Sequence, residues 1–302
     1  MCRILLESPA FTAVNSRGPS GTALDLAIGI CGDAAICRLL LDSPRFTEAG
    51  AITDGNNVLH QAAKMWGYSD APVDEIYKTE ICRAILESHN FTEINAVTSG
   101  VCGTITTDSC VGQTALHLAA IAGHGSVCRL LLESPKFTAV NVIDSKGCTA
   151  LHIAATRSSK HDARKDEYVP SGSANAILDS TKFTAFEAVN HDGDTAFQLA
   201  ARTNNNPELC RLLLESPASA VANIKTSKGE NALHLASGYL HSGGKRPWDK
   251  DVCRILVESP NFEGTNDALS DGNTALHLWA GSEIPEHWSD IDWDEGGNCG
   301  VY

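Results

Sequence analysis

Two adjoining phrases decide the fold: Gly112-Gln113-Thr114-Ala115-Leu116-His117-Leu118-Ala119-Ala120, then Cys128-Arg129-Leu130-Leu131-Leu132-Glu133-Ser134-Pro135-Lys136-Phe137-Thr138-Ala139-Val140-Asn141. In the first phrase, apolar residues at Ala115, Leu116, Leu118, Ala119 and Ala120 predict a short helix. Thr114 stands where a hydroxyl caps free N–H groups, and Gly123 is a natural stop. A second helix is predicted through Val127, Cys128 and Leu130 to Leu132, ending before Pro135. The stretch from Phe137 to Gly147 then reads as extended, with Asp144-Ser145-Lys146-Gly147 as a turn at its tip.

Both phrases recur. Copies of the second start at Cys2, Cys37, Cys82, Ala174, Cys210 and Cys253, and relatives of the first centre on Leu24, Leu59, Leu151, Phe197, Leu233 and Leu276. The basic period is 35 residues, from Cys2 to Cys37 and from Thr114 to Thr149. Two such short helices cannot bury their apolar faces alone, whereas stacked on like neighbours they form one continuous core. Insertions lengthen the turn between the helices at about 64–80, 157–173 and 238–251, and lengthen one projecting loop at 96–111. Such loops either carry function or are merely tolerated. The middle one holds the charged run Lys160–Glu167 and is expected to be mobile. The third holds Lys245-Arg246-Pro247-Trp248, a peptide anchor or a cover for the adjoining helix.

The pattern Gly-x-Thr-Ala-Leu-His-x-Ala-Ala, then Gly-His, then Val-Cys-Arg-Leu-Leu-Leu resembles the ankyrin repeat. The family's usual period is 33 and its usual phrase Thr-Pro-Leu-His. Here Ala replaces that Pro, and Ser134-Pro135-Lys136-Phe137-Thr138 adds two residues after the second helix. The resemblance implies an all-α solenoid of stacked helix-turn-helix units with projecting finger loops. The expected organisation is an array over 1–281, six complete repeats with partial units at both ends, and an acidic, flexible tail over 282–302. The partial ends favour a fragment of a longer protein, or ends that cap themselves.

Acidic residues outnumber basic ones, 37 to 23, giving a net charge of −14. Nucleic-acid binding is disfavoured, because phosphates call for a basic surface. Six of those charges lie in the tail, where Trp288 and Trp293 interrupt the acids. The tail reads either as a partner-binding segment or as a cover for the last unit. No run of 18 apolar residues predicts a membrane helix, and the N-terminus lacks a signal-peptide core. The expected setting is cytoplasmic, with the eleven cysteines as thiols. Cys102 and Cys110 are the one sequence-near pair with freedom to bridge.

The repeated His60, His117, His152, His234 and His277 form a row of candidate ligands or bases. Units stack about 10 Å apart, too far to share a metal with bonds of about 2 Å. The resemblance implies instead that each His bonds the Thr of its own phrase: His117 with Thr114, His152 with Thr149, His277 with Thr274. Asn57 and Asn231 stand in beside His60 and His234. The pattern breaks at Asp25 and Gln198, and those units are expected to be held differently. The Cys position reads as a small buried hydrophobe. Asp290-Ile291-Asp292-Trp293-Asp294 begins like a calcium loop but lacks its Gly and its closing Glu. No nucleotide, zinc-protease or serine-hydrolase motif is present, so neither cofactor nor metal is expected.

The first functional reading is a non-catalytic scaffold or adaptor, monomeric unless its ends associate, binding a protein or peptide. The surface that the resemblance implies runs over Val142, Ile143, Ser145, Lys146, His191, Asp192, Thr226, Ser227 and Lys228 at the finger tips. On the first helices it takes in Ile121, Ala122, Thr156, Arg157, Arg202 and Thr203. A second reading is the regulatory ankyrin region of a larger channel, kinase or ubiquitin-ligase component. A third, an enzyme, needs a site built from the insertions.

Overall fold

The first helix of a unit is started by a capping exchange. Thr114 is extended (φ −83°, ψ 169°), its hydroxyl accepts from the His117 N–H, and the helix that follows ends at Gly123 in the left-handed region (φ 76°). The computed structural model describes residues 2–19, 21–53, 55–64, 72–99, 111–156, 160–162, 167–169, 172–203, 207–216, 218–237 and 250–281.

Among these residues the first helices are α2 (Ala23–Leu26), α4 (Val58–Lys64), α6 (Ala115–Ala122), α8 (Ala150–Thr156), α10 (Ala196–Thr203), α12 (Ala232–Ala236) and α14 (Ala275–Gly281). The second helices are α1 (Cys2–Glu7), α3 (Ala34–Leu41), α5 (Pro72–Glu87), α7 (Gly125–Glu133), α9 (Gly172–Leu178), α11 (Pro207–Glu215) and α13 (Lys250–Glu258). Each first helix packs on the next first helix, and each second helix on the next second helix, so two parallel layers enclose one core. Leu116, Ala119, Ala120, Val127, Cys128 and Leu131 are wholly buried at the centre of that core.

The two residues by which the repeat exceeds 33 have a packing role. Phe46, Phe91, Phe137 and Phe183 are all at most 2% exposed, so the added aromatic is a core side chain. The residue just before it reaches back to the preceding unit. Lys136 Nζ donates to the carbonyls of Leu86 (2.8 Å) and Ser88, and Lys182 Nζ to that of Ser134 (2.7 Å). Asn90 Nδ2 donates to Leu41 O (2.7 Å) and Asn261 Nδ2 to Leu214 O (2.8 Å). Arg45 bonds the carbonyls of Leu6, Ser8 and Phe11. Carbonyls at and just past a helix C-terminus lack intrahelical partners, and here the next unit supplies them.

Three local features depart from the expected all-α pattern of short units. The insertion at 64–80 does not only lengthen a turn: from Pro72 onward it is helix, making α5 sixteen residues long. Proline is favoured in a first turn, where its missing N–H costs nothing. The insertion at 157–173 contains two short antiparallel strands, β1 (Lys160–Asp162) and β2 (Glu167–Val169), with Lys160 opposite Val169. The third is the continuation of α2 into a π-helical turn over Ala27–Cys31, closed by Gly32 at φ 57°. In the finger insertion, Thr98 N–H donates to Gln113 O (2.8 Å) and Gly112 N–H to Thr98 O (2.9 Å). The chain therefore leaves and re-enters the finger at one point. The segment 238–249 with Trp248, the pair Cys102 and Cys110, and the tail 282–302 with its calcium-like run lie outside the described residues.

Candidate interaction surface

The fingers are rigid for a reason that starts with one side chain in each. Asp144 Oδ1 accepts from the N–H groups of Lys146 and Cys148, both at 2.9 Å. Asn190 makes the same pair of bonds to Asp192 and Asp194, and the Thr226 hydroxyl to Lys228 and Glu230. Gly147 then takes φ +74°, and a Cβ there would lie 3.0 Å from the His191 nitrogen, so only glycine fits. Adjacent fingers are also tied to each other. Ser99 N–H donates to Gly55 O (3.1 Å), Ser145 N–H to Val111 O (3.1 Å) and His191 N–H to Lys146 O (2.9 Å).

These turns present an apolar row. Ile52, Val97, Ile143 and Val189 each lie six residues after the phenylalanine of their own finger, in four consecutive units. They are 57%, 45%, 53% and 51% exposed. Scattered exposed hydrophobes need no explanation, but a β-branched residue exposed at one structural position in four successive fingers is a regular feature of the surface. Arg17, paired with Glu48, and Lys225, paired with Asp267, take the same position in the fingers flanking the row.

Of the residues expected to form the binding face, Ile143, Ser145, Lys146, Thr156, His191, Asp192, Ser227 and Lys228 are exposed, and Val142, Ile121 and Ala122 half-buried. Arg157 lies outside the described residues. Thr226 is 8% exposed, because its hydroxyl does the work of Asp144 and Asn190 inside the turn. Arg202 and Thr203 are half-buried. The Arg202 guanidinium makes a two-pronged pair with the buried Asp194 carboxylate (2.7 and 2.6 Å). Burial nevertheless raises the Asp194 pKa, with Arg202 opposing it. The Thr203 hydroxyl is turned to the carbonyls of Ala155 and Ala200. The row at Ile52, Val97 and Val189 was legible as a fixed offset from the repeated Phe, although only Ile143 stands out without that comparison.

Four of the five repeated histidines are buried, and His277 is exposed. His117 Nδ1 accepts from the Thr114 N–H (3.2 Å) and lies 2.8 Å from its hydroxyl, so the ring proton is on Nε2, which donates to Cys148 O (3.0 Å). His152 repeats this with Thr149 and Asp194 O, and His60 with the Asn57 N–H and Ala96 O. His234 Nδ1 accepts from the Asn231 N–H (3.2 Å). At the array's end, the Thr274 hydroxyl lies 2.8 Å from His277 Nδ1 in an exposed setting. Gln198 and Asp25, expected to be held differently, both keep the bond within the phrase, but across units Asp25 accepts from the Thr53 hydroxyl (3.2 Å) where the histidines donate to a carbonyl. Gln198 Oε1 accepts from the Thr195 N–H (2.8 Å) and its Nε2 donates to Ile224 O (2.9 Å). Asp25 accepts from the Thr22 N–H (2.7 Å) and from Gln61 Nε2 (2.7 Å).

Burial pushes His60 down to about 4, and lowers His117, His152 and His234 in the same direction. It pushes the Cys82 thiol up to about 12 and that of Cys148 to about 11, and raises Cys128 also. Thiols so protonated are poor nucleophiles at neutral pH. Among the described residues no cluster of His, Cys, Asp or Glu is placed to hold a metal ion. No helix among them is long and apolar enough to cross a membrane.

The family profile described as "Ankyrin repeats (3 copies)" matches residues 75–164, and the one described as "Ankyrin repeat" matches residues 192–227. Comparison with curated protein sequences finds no match. Among solved structures, the ankyrin repeat protein EF0377 is 18% identical with a TM-score of 0.53, over 78% of this chain and 96% of that one. The ankyrin repeat domain of Bcl-3, described as a unique member of the IkappaB protein family, is 21% identical with a TM-score of 0.56, over 86% of this chain and 95% of its own.

Proposed function

Because the chain is an ankyrin repeat protein, we propose that it is a non-catalytic scaffold that takes a protein or peptide partner along its fingers. The observation that carries this is the exposed row of Ile52, Val97, Ile143 and Val189 on turns already fixed by hydrogen bonds. Binding to a rigid surface costs little ordering entropy, and a row of apolar side chains rimmed by charge has the make-up of an interface core. Ser145, Lys146, His191, Asp192, Ser227 and Lys228 form the polar rim in this reading. The array is taken as 1–281 and the chain as monomeric and cytoplasmic, where its thiols stay reduced.

The test is the quadruple substitution Ile52→Ser, Val97→Ser, Ile143→Ser and Val189→Ser, used as bait beside the unaltered chain in affinity purification with mass spectrometry. All four positions are exposed, so the helical circular dichroism and melting temperature should match. Partners captured by the unaltered chain should be lost. A variant that folds and retains every specific partner refutes the finger assignment.

A further inference from the structure

The last unit differs from the six before it at the positions that make the stack. Leu276 in α14 stands where the other first helices carry Leu24, Leu59, Leu116, Leu151, Phe197 and Leu233. Those six are at most 7% exposed, whereas Leu276 is 68% exposed. Val257 in α13 stands where Leu41, Leu86, Leu132 and Leu214 are at most 5% exposed, and it is 54% exposed. Both contrasts follow from position: every earlier unit has another packed upon it.

Trp279 needs a different explanation. Its position holds Ala27, Ala62, Ala119, Ala154, Ala200 and Ala236 in the other units, all at most 3% exposed. A small side chain there lets the following first helix approach to the usual 8–10 Å. An indole occupies that volume, and overpacking a close contact is destabilising. The position that elsewhere receives a helix therefore carries a side chain too large for that approach. That ring is still 38% exposed, beside Leu276. Such an apolar end needs a covering with a polar outer face to stay in solution.

We propose that the covering is residues 282–302 of this same chain, docked on the α13–α14 end through Ile284, Trp288, Ile291 and Trp293. The segment begins where α14 stops, at Gly281, and Trp288 follows seven residues later. Seven residues reach up to about 25 Å, while α14 is itself only about 10 Å long, so every point of the end is within range. The composition also fits. Four large apolar residues alternate with six acids and no Lys or Arg, which supplies an inner face for Leu276, Trp279 and Val257 and an anionic outer face.

The experiment compares the full chain with its Trp288→Ser, Ile291→Ser double variant by hydrogen exchange, with sedimentation over a range of concentrations. Both positions lie beyond the repeats, so exchange in α6 to α10 should be unchanged. Amides of α14 and the end of α13 should lose about tenfold or more of their protection in the variant, and Trp288→Phe should restore most of it. Unchanged protection in the double variant overturns the proposal, as does an α14 that already exchanges at the unprotected rate in the unaltered chain. Protection that grows with concentration alongside a dimer also overturns it, because a second copy is then the covering.

Discussion

His60→Gln should make the protein less sensitive to acid while leaving its stability near pH 7.5 almost unchanged. His60 is 2% exposed, and both ring nitrogens are used in the neutral form: Nδ1 accepts from the Asn57 N–H and Nε2 donates to Ala96 O. Burial holds its pKa at about 4 against an ordinary value of 6.5. Below pH 6.5 the unfolded chain takes up a proton that the folded chain refuses. Stability from this group is therefore complete above 6.5 and is lost as pH falls toward 4. Integrating between those two values gives a loss of about 2 kcal/mol at pH 5. Glutamine offers the same acceptor and donor without a titrating group, and the array already contains that arrangement at Gln198. Urea denaturation at pH 7.5 and 5.0 and matched ionic strength reads the effect. The variant should lie within about 1 kcal/mol of the unaltered protein at pH 7.5. It should gain about 2 kcal/mol on it at pH 5, with the remaining histidines cancelling in the difference. Parallel pH dependences in the two proteins would refute the reasoning.

Gly125→Ala and Gly172→Ala should differ sharply in thermal melts. A Cβ on Gly125 would lie 2.5 Å from the Gly172 backbone, which should cost about 2–3 kcal/mol. One on Gly172 meets Gly125 only at 3.3 Å, a contact roughly offset by the helix preference of alanine, up to about 1 kcal/mol. Lys136→Met keeps the stem but removes the donor to Leu86 O and Ser88 O, and denaturant titration should show a loss of about 1–2 kcal/mol. Arg202→Met should cost about 2–4 kcal/mol by leaving the Asp194 carboxylate buried without its cation; adding Asp194→Asn should recover part of that loss. Cys128 should react with a thiol reagent at pH 7.5 only at the rate of local opening, so its labelling should slow in parallel with hydrogen exchange of α7.

The stacked helices were legible because burial in a solenoid repeats with the chain. A position that is apolar in seven units is a core position, and Leu116 and Cys128 declare themselves by recurrence. Capping was legible for the same reason: Thr114 and His117 keep a fixed spacing of three, and one turn of helix brings them together. What escaped was chemistry that survives a change of residue. Asp144, Asn190 and Thr226 are three different side chains doing one job in the turn, so Thr226 reads as an exposed finger residue until its hydroxyl is seen inside. Arg45, Asn90, Lys136, Lys182 and Asn261 look like an unrelated polar series, yet all donate to carbonyls of the preceding unit. Contacts between units are invisible to a comparison that aligns units one on another, because alignment shows what each repeat shares and not what one hands to the next. In the apolar row at Ile52, Val97, Ile143 and Val189, the shared offset from the repeated phenylalanine is visible on alignment, but the tie from finger to finger is not. Each residue alone is an ordinary exposed hydrophobe. Hydrogen bonds from one finger to the next, such as Ser145 N–H to Val111 O and His191 N–H to Lys146 O, fix the turns in series. On the proposed finger assignment, the same bonds that stiffen the array also align its apolar row, and loosening one finger should weaken a partner's grip on its neighbours as well as on itself.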